Sequence, residues 1–169
     1  MSSTQRSSWM EANLSVQGYC LTAKESNALR WGLRFPTALC FVLVAIALVL
    51  QSALLILALV PIGAIAGWTR RHPFDHFWNH GLRHLTGAPE LLPNPIPRRH
   101  GFKVGTVWLL IVGLLFATGM TNAATILGAL LLAACGLLTV TNFCIPSTLL
   151  GIWWRWRGTP SPIQMPRET

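Results

Sequence analysis

Residues 35–69 read FPTALCFVLVAIALVLQSALLILALVPIGAIAGWT, and residues 104–154 read VGTVWLLIVGLLFATGMTNAATILGALLLAACGLLTVTNFCIPSTLLGIWW. Neither stretch contains Asp, Glu, Lys, Arg or His. A membrane helix needs about 20 apolar residues, so each stretch is too long for a single crossing. Each also breaks near its middle, at Gln51-Ser52 and at Gly119-Met120-Thr121-Asn122. Two unbroken tilted helices would instead run to roughly 50 Å at ~1.5 Å per residue, well beyond a ~30 Å hydrocarbon core. The reading is an all-α polytopic membrane protein. Four transmembrane helices, near 29–50, 53–69, 104–120 and 122–144, form two hairpins with a short amphipathic interfacial helix between them.

Working outward, five segments follow: a polar N-terminal segment (1–26), the first hairpin (27–69), a central segment (70–103), the second hairpin (104–144) and a Trp/Arg tail (145–169). The chain has 169 residues, of which 52% are apolar and 11% charged, with a net charge of +8. Soluble domains carry about 25% charged residues. Together with the mean hydropathy of +0.49, this excludes the soluble nucleic-acid-binding reading of the positive balance. Residues 1–26 have no apolar core of the signal-peptide kind and are expected to be peripheral, with Thr22-Ala23-Lys24-Glu25 spaced as a capping box. The four cysteines, Cys20, Cys40, Cys135 and Cys144, show no C-x-x-C spacing and are expected to be reduced.

The basic residues set the orientation. The N-terminal segment up to residue 34 carries four, residues 70–103 carry six, and the tail carries three, the whole complement of thirteen. By the positive-inside rule both termini and the central segment are expected in the cytoplasm. Trp31, Trp68, Trp108, Trp153, Trp154 and Trp156 lie near the same side, as an aromatic belt would. Gly63/Gly67, Gly113/Ala117 and Ala129/Ala133 are small pairs four apart, expected to form seams between helices. Pro36 and Pro61 mark helix starts or kinks.

The central segment holds all five histidines, with His72, His76, His80 and His84 four apart. On a helix over 74–85, Phe74, Phe77, Trp78, Leu82 and Leu85 share one face. Asp75, His76, Asn79, His80 and Arg83 share the other, which gives a helix lying in the membrane surface. Two His at i and i+4 could hold a metal ion, with His72, His84 and Asp75 or Glu90 as further ligands. The competing reading is a polar face turned to water and anionic headgroups. The proline-rich run 89–97 reads as a stiff connection.

The uncharged crossings argue against ion transport, haem ligation and catalysis within the bilayer. An enzyme is not expected, nor any cofactor apart from a metal ion at the histidines. Cys144 is the one thiol singled out, although its place at the end of the last crossing disfavours a thiolate through the helix dipole. Trp153, Trp154, Arg155, Trp156 and Arg157 form an interfacial anchor. The expected partners are a bilayer with anionic headgroups and other membrane proteins, with no nucleic acid.

His72-Pro73-Phe74, the connection from Pro89-Glu90 through Pro97-Arg98-Arg99 to Gly101-Phe102-Lys103-Val104-Gly105, and Asn142-Phe143-Cys144-Ile145-Pro146 occur in a characteristic order. In that order the chain resembles the bacterial integral membrane family called domain of unknown function 4395, over roughly 27–155. The resemblance implies two hairpins around an amphipathic helix and a multi-pass protein of the bacterial inner (plasma) membrane. Many members look as if they carry a second Cys three positions after the first. Here that position is Ser147, which leaves a single-thiol role at Cys144. Three functions are expected, in this order: a non-catalytic accessory subunit of a membrane complex, thiol or sulfur handling through Cys144, and metal binding by the histidine helix.

Overall fold

The computed structural model describes residues 11–158, and all its regular elements are helices. A helical segment, α1, ends at residue 16. The capping box then starts α2 (Ala23–Ala28): the Glu25 N–H donates to Thr22 Oγ1 at 3.4 Å and the Thr22 N–H donates to the Glu25 carboxylate at 2.8 Å. The first hairpin is α3 (Arg30–Val49) and α4 (Ala53–Trp68). Its turn falls where the polar break predicts, with Gln51 at φ +48° and Ser52 accepting from the Leu55 N–H as N-cap.

A bent rod follows: α5 (Pro73–Phe77), a π turn (Trp78–Leu82) and α6 (Arg83–Thr86), closed by Gly87 at φ +63°. The second hairpin is α7 (Ile96–Ala117) and α8 (Thr121–Thr141), and α9 (Ile145–Trp156) follows it. Helix α7 begins eight residues before the expected start at 104. Pro95 at the N-cap and Pro97 in the first turn suit a helix start, and the helix therefore carries Arg98, Arg99 and Lys103. Asn142, at φ +54°, ends α8.

By length and composition α3, α7 and α8 can each cross a membrane. Helix α4 has 16 residues, about 24 Å at 1.5 Å per residue. It joins the count, up to four, only when paired with the rod beyond an 81° bend. The four helices close a ring. Helix α4 lies along α7, α3 along α8, and α7 beside α8.

Glycines make the tightest seam. A Cβ on Gly63 would come within 2.6 Å of Thr106 Oγ1, and one on Gly67 within 3.1 Å of the Lys103 backbone nitrogen. Gly113 faces Ile56 and Leu57 in the same seam, while Ala117, its expected partner, is exposed. The third expected pair does not pack: Ala129 and Ala133 are exposed, and Ala124, Gly128 and Leu131 turn inward instead, one helical step away.

Two further expectations change. Trp108 leaves the belt, since its Nε1–H donates to the Leu127 carbonyl at 3.1 Å and ties α7 to α8 inside the bundle. The stretch before α2 is not peripheral: Leu14 and Tyr19 are buried with Leu29, Leu33, Trp78 and Leu91 in one core cluster.

Candidate functional site

Helices α4 and α8 both end at the basic side of the bundle, where their last carbonyls lack intrahelical donors. Charged and amide side chains supply them. Arg99 donates to the carbonyls of Gly67 and Trp68, at 3.4 and 2.7 Å. Arg34 donates to Val140 at 2.9 Å, Asn13 donates to Thr141 at 2.9 Å, and Gln17 Nε2 donates to Asn142. Cations at helix C-termini also complement the dipole. Two of the basic residues, Arg34 and Arg99, thus close the ends of helices.

Beneath this cap lies a buried polar chain. His72 is the N-cap of α5, and its Nδ1 accepts from the Phe74 N–H at 3.1 Å. The neutral ring therefore carries its proton on Nε2, which stands 3.7 Å from Cys40 Sγ. Burial, and then the Arg98 charge, push the His72 pKa down to about 3, so the ring is neutral at physiological pH. Asp75 Oδ2 accepts from the His72 N–H at 2.7 Å and from Asn94 Nδ2 at 3.2 Å. Asn94 Oδ1 in turn accepts from the Tyr19 hydroxyl at 3.0 Å. Burial raises the Asp75 carboxyl above its ordinary value, against the His72 N–H, Arg98 and Asn94, which lower it.

Arg98 closes the chain. Its guanidinium lies 5.4 Å from the Tyr19 ring and 5.8 Å from the Phe102 ring, and Nη2 donates to the Leu33 carbonyl at 2.8 Å. Leu33 belongs to α3 and Arg98 to α7, so the contact spans the bundle diagonal.

Against this chain opens a cavity of roughly 530 Å³ between α3, α7, α8 and the start of α9. Its wall is mostly apolar but includes His72, Arg98 and three thiols, Cys40, Cys135 and Cys144. Cys144 is buried against α7, where a Cβ on Gly101 would come within 2.9 Å of its sulfur. Cys144 follows α8 and is also the N-cap of the 12-residue α9, a position the sequence reading did not give it. Ser147, three residues on, is buried and donates to the Pro97 carbonyl at 2.8 Å.

Cys40 and Cys135 read as ordinary packing residues in the sequence, and only the pairing of α3 with α8 brings them to this wall. Cys20 is exposed elsewhere.

The histidine ladder divides. His72 turns inward, while His76, His80 and His84 are exposed. The His76 and His80 rings stack in parallel, with centroids 5.8 Å apart. Asp75 is committed to His72 and Asn94, and Glu90 pairs with Arg71 at 2.9 Å. Among the described residues no group of three or more His, Cys, Asp and Glu side chains is placed to hold a metal ion.

The water-facing side expected for this rod is also only half right. Asp75 and Asn79 are buried, and Asn79 Oδ1 accepts from the Leu91 N–H at 3.0 Å. The proline-rich connection folds over that face and hides it. In the tail, Arg157 lies 4.2 Å over the Trp153 ring, with Trp153, Arg155, Trp156 and Arg157 exposed and Trp154 half-buried.

The family model described as "Domain of unknown function (DUF4395)" matches residues 30–155, and the chain belongs to that family. No curated protein and no solved structure matches the chain.

Proposed function

We propose that this member of the family handles thiols or sulfur in the cavity at the basic end of its bundle, with Cys144 as the reacting thiol. The supporting observation is the composition of one wall: three cysteines, a neutral histidine whose Nε2–H faces a thiol, and a buried arginine. Arg98 shares this lining with Cys144 and brings a positive charge to the cavity. The simplest chemistry is sulfur transfer from a persulfide. The Cys144 thiolate attacks the outer sulfur of RS–SH, a new S–S bond forms, the old one breaks, and RS⁻ leaves with its electron pair. On the positive-inside count the site lies at the cytoplasmic end of the bundle in a bacterial plasma membrane.

The accessory-subunit reading draws its support from the uncharged crossings, the small-residue seams and the Trp/Arg tail. The apolar surfaces that would serve it are the ones a bilayer would cover. The thiol-lined wall moves the sulfur reading ahead of it.

The test uses the full chain in neutral detergent with Cys20, Cys40 and Cys135 changed to Ser or Ala. Cys144 should react with N-ethylmaleimide in the folded protein, and should gain one sulfur from a low-molecular-weight persulfide, read by mass spectrometry. Arg98→Gln should slow both reactions. A Cys144 that reacts only after denaturant is added refutes the proposal.

A further inference from the structure

The cavity has two features that its thiols alone do not account for. One is a buried charge without an ion pair. Arg98 is 4% exposed, and its Nε has no hydrogen-bond partner. Among the described residues no carboxylate stands within ion-pair distance of it; the ion pairs there join Arg71 and Arg83 to Glu90. Asp75 acts on Arg98 through its field without an ion-pair contact, and its Oδ2 is engaged by the His72 N–H and Asn94. A buried cation without an ion pair is costly, and an arginine fork is the side chain best shaped to recover that cost from a carboxylate or phosphate.

The other feature is the direction in which the cavity opens. Val104, Leu130, Leu137 and Ile145 line it and are also exposed on the apolar perimeter. Its mouth therefore lies between α7, α8 and α9, facing the lipid side of the bundle. Inside, Gly105 leaves free space: a Cβ there would meet nothing within 4 Å. The volume of roughly 530 Å³ falls in the 300–1,000 Å³ range of small-molecule pockets.

We infer that this cavity takes a single-chain anionic amphiphile from the bilayer, with its head at Arg98 and its chain running past Gly105 to the lateral mouth. This rests on the cavity of the proposed thiol site, but not on any of its thiols reacting. Inert thiols with intact binding would sink only the sulfur reading, and reactive thiols without binding would sink only this one.

The experiment titrates the full chain in dodecyl maltoside with cis-parinaric acid and, separately, with its uncharged methyl ester, read by polyene fluorescence. The acid should bind at least tenfold more tightly than the ester. Arg98→Gln should weaken the acid at least tenfold and leave the ester unchanged, with Arg70→Gln, an exposed arginine, without effect. Gly105→Phe should abolish both by filling the space. Sulfate in excess should not displace the acid.

Equal binding of acid and ester, or an acid indifferent to Arg98→Gln, overturns the proposal. Displacement by sulfate overturns it in favour of a free oxyanion site. If Arg98→Gln does not fold, Arg98→Lys and the acid-to-ester ratio on the unaltered protein carry the same decision.

Discussion

One substitution made at two glycines should have opposite signs. Gly67 sits in the α4–α7 seam, where an added methyl would come within 3.1 Å of the Lys103 backbone nitrogen and 3.3 Å of its Cα. Backbone atoms in a packed helix pair cannot step aside, so Gly67→Ala must push the two helices apart. Overpacking of this kind costs about 1–3 kcal/mol. The lower conformational freedom of alanine returns about 0.5–1 kcal/mol, which leaves a net loss of up to about 2.5 kcal/mol, centred on about 1.3 kcal/mol. Gly105→Ala, on α7, gains the same conformational term and meets no atom within 4 Å. It should stabilise by about 0.5 kcal/mol. The gap between the two variants, about 2 kcal/mol, corresponds to about 30-fold in the unfolding equilibrium. Reversible unfolding in dodecyl maltoside titrated with dodecyl sulfate, followed by far-ultraviolet circular dichroism, measures it. If the two variants unfold within about 0.5 kcal/mol of each other, the α4–α7 contact is not as close as described and the seam argument fails.

Three other outcomes follow from the basic end. His72 has a folded pKa of about 3 against an ordinary 6.5, so its contribution is complete above pH 6.5 and is lost as pH falls through that value. At pH 5 the loss should reach about 2 kcal/mol. Asp75, whose pKa is raised, works in the opposite sense at acid pH, so the comparison is with His72→Asn, which keeps an acceptor for the Phe74 N–H and should flatten the pH dependence. Asn142 holds a left-handed backbone at φ +54°; Asn142→Gly should be near neutral and Asn142→Val should cost about 1–3 kcal/mol in the same unfolding assay. Gln17→Ala removes the donor to the Asn142 carbonyl and should cost about 1–2 kcal/mol, with faster hydrogen exchange at the end of α8 as the local readout.

The hairpins were legible because their signals are local. Long uncharged runs, a polar break and a residue able to take a left-handed or N-cap conformation can all be read one stretch at a time, as at Gln51-Ser52. The start of α7 was missed because Arg98, Arg99 and Lys103 interrupt the apolar run. The prolines at 95 and 97, which begin a helix without wasting an amide, were the better guide. Pro146 carried the same message for α9 and would have placed Cys144 at a helix start.

The candidate site was legible only in fragments. Nothing near Cys40 or Cys135 in the chain distinguishes a thiol on a cavity wall from a small packing residue. What unites them is the pairing of α3 with α8, which lies beyond any local pattern. The histidine spacing suggested a single face, but burial of the rod under the proline-rich connection decides which histidine turns inward.

The side chains that finish α8 come from far away in the chain. Asn13 reaches Thr141 across 128 positions, and Gln17 reaches Asn142 across 125. Residues that leave the ribosome early must therefore wait, unplaced, until the last crossing has been threaded into the bilayer. The bundle cannot be completed in the order in which it is made. Its final step of assembly is the return of the segment that carries Asn13 and Gln17, which bolts the second hairpin to the first only once all the crossings are present.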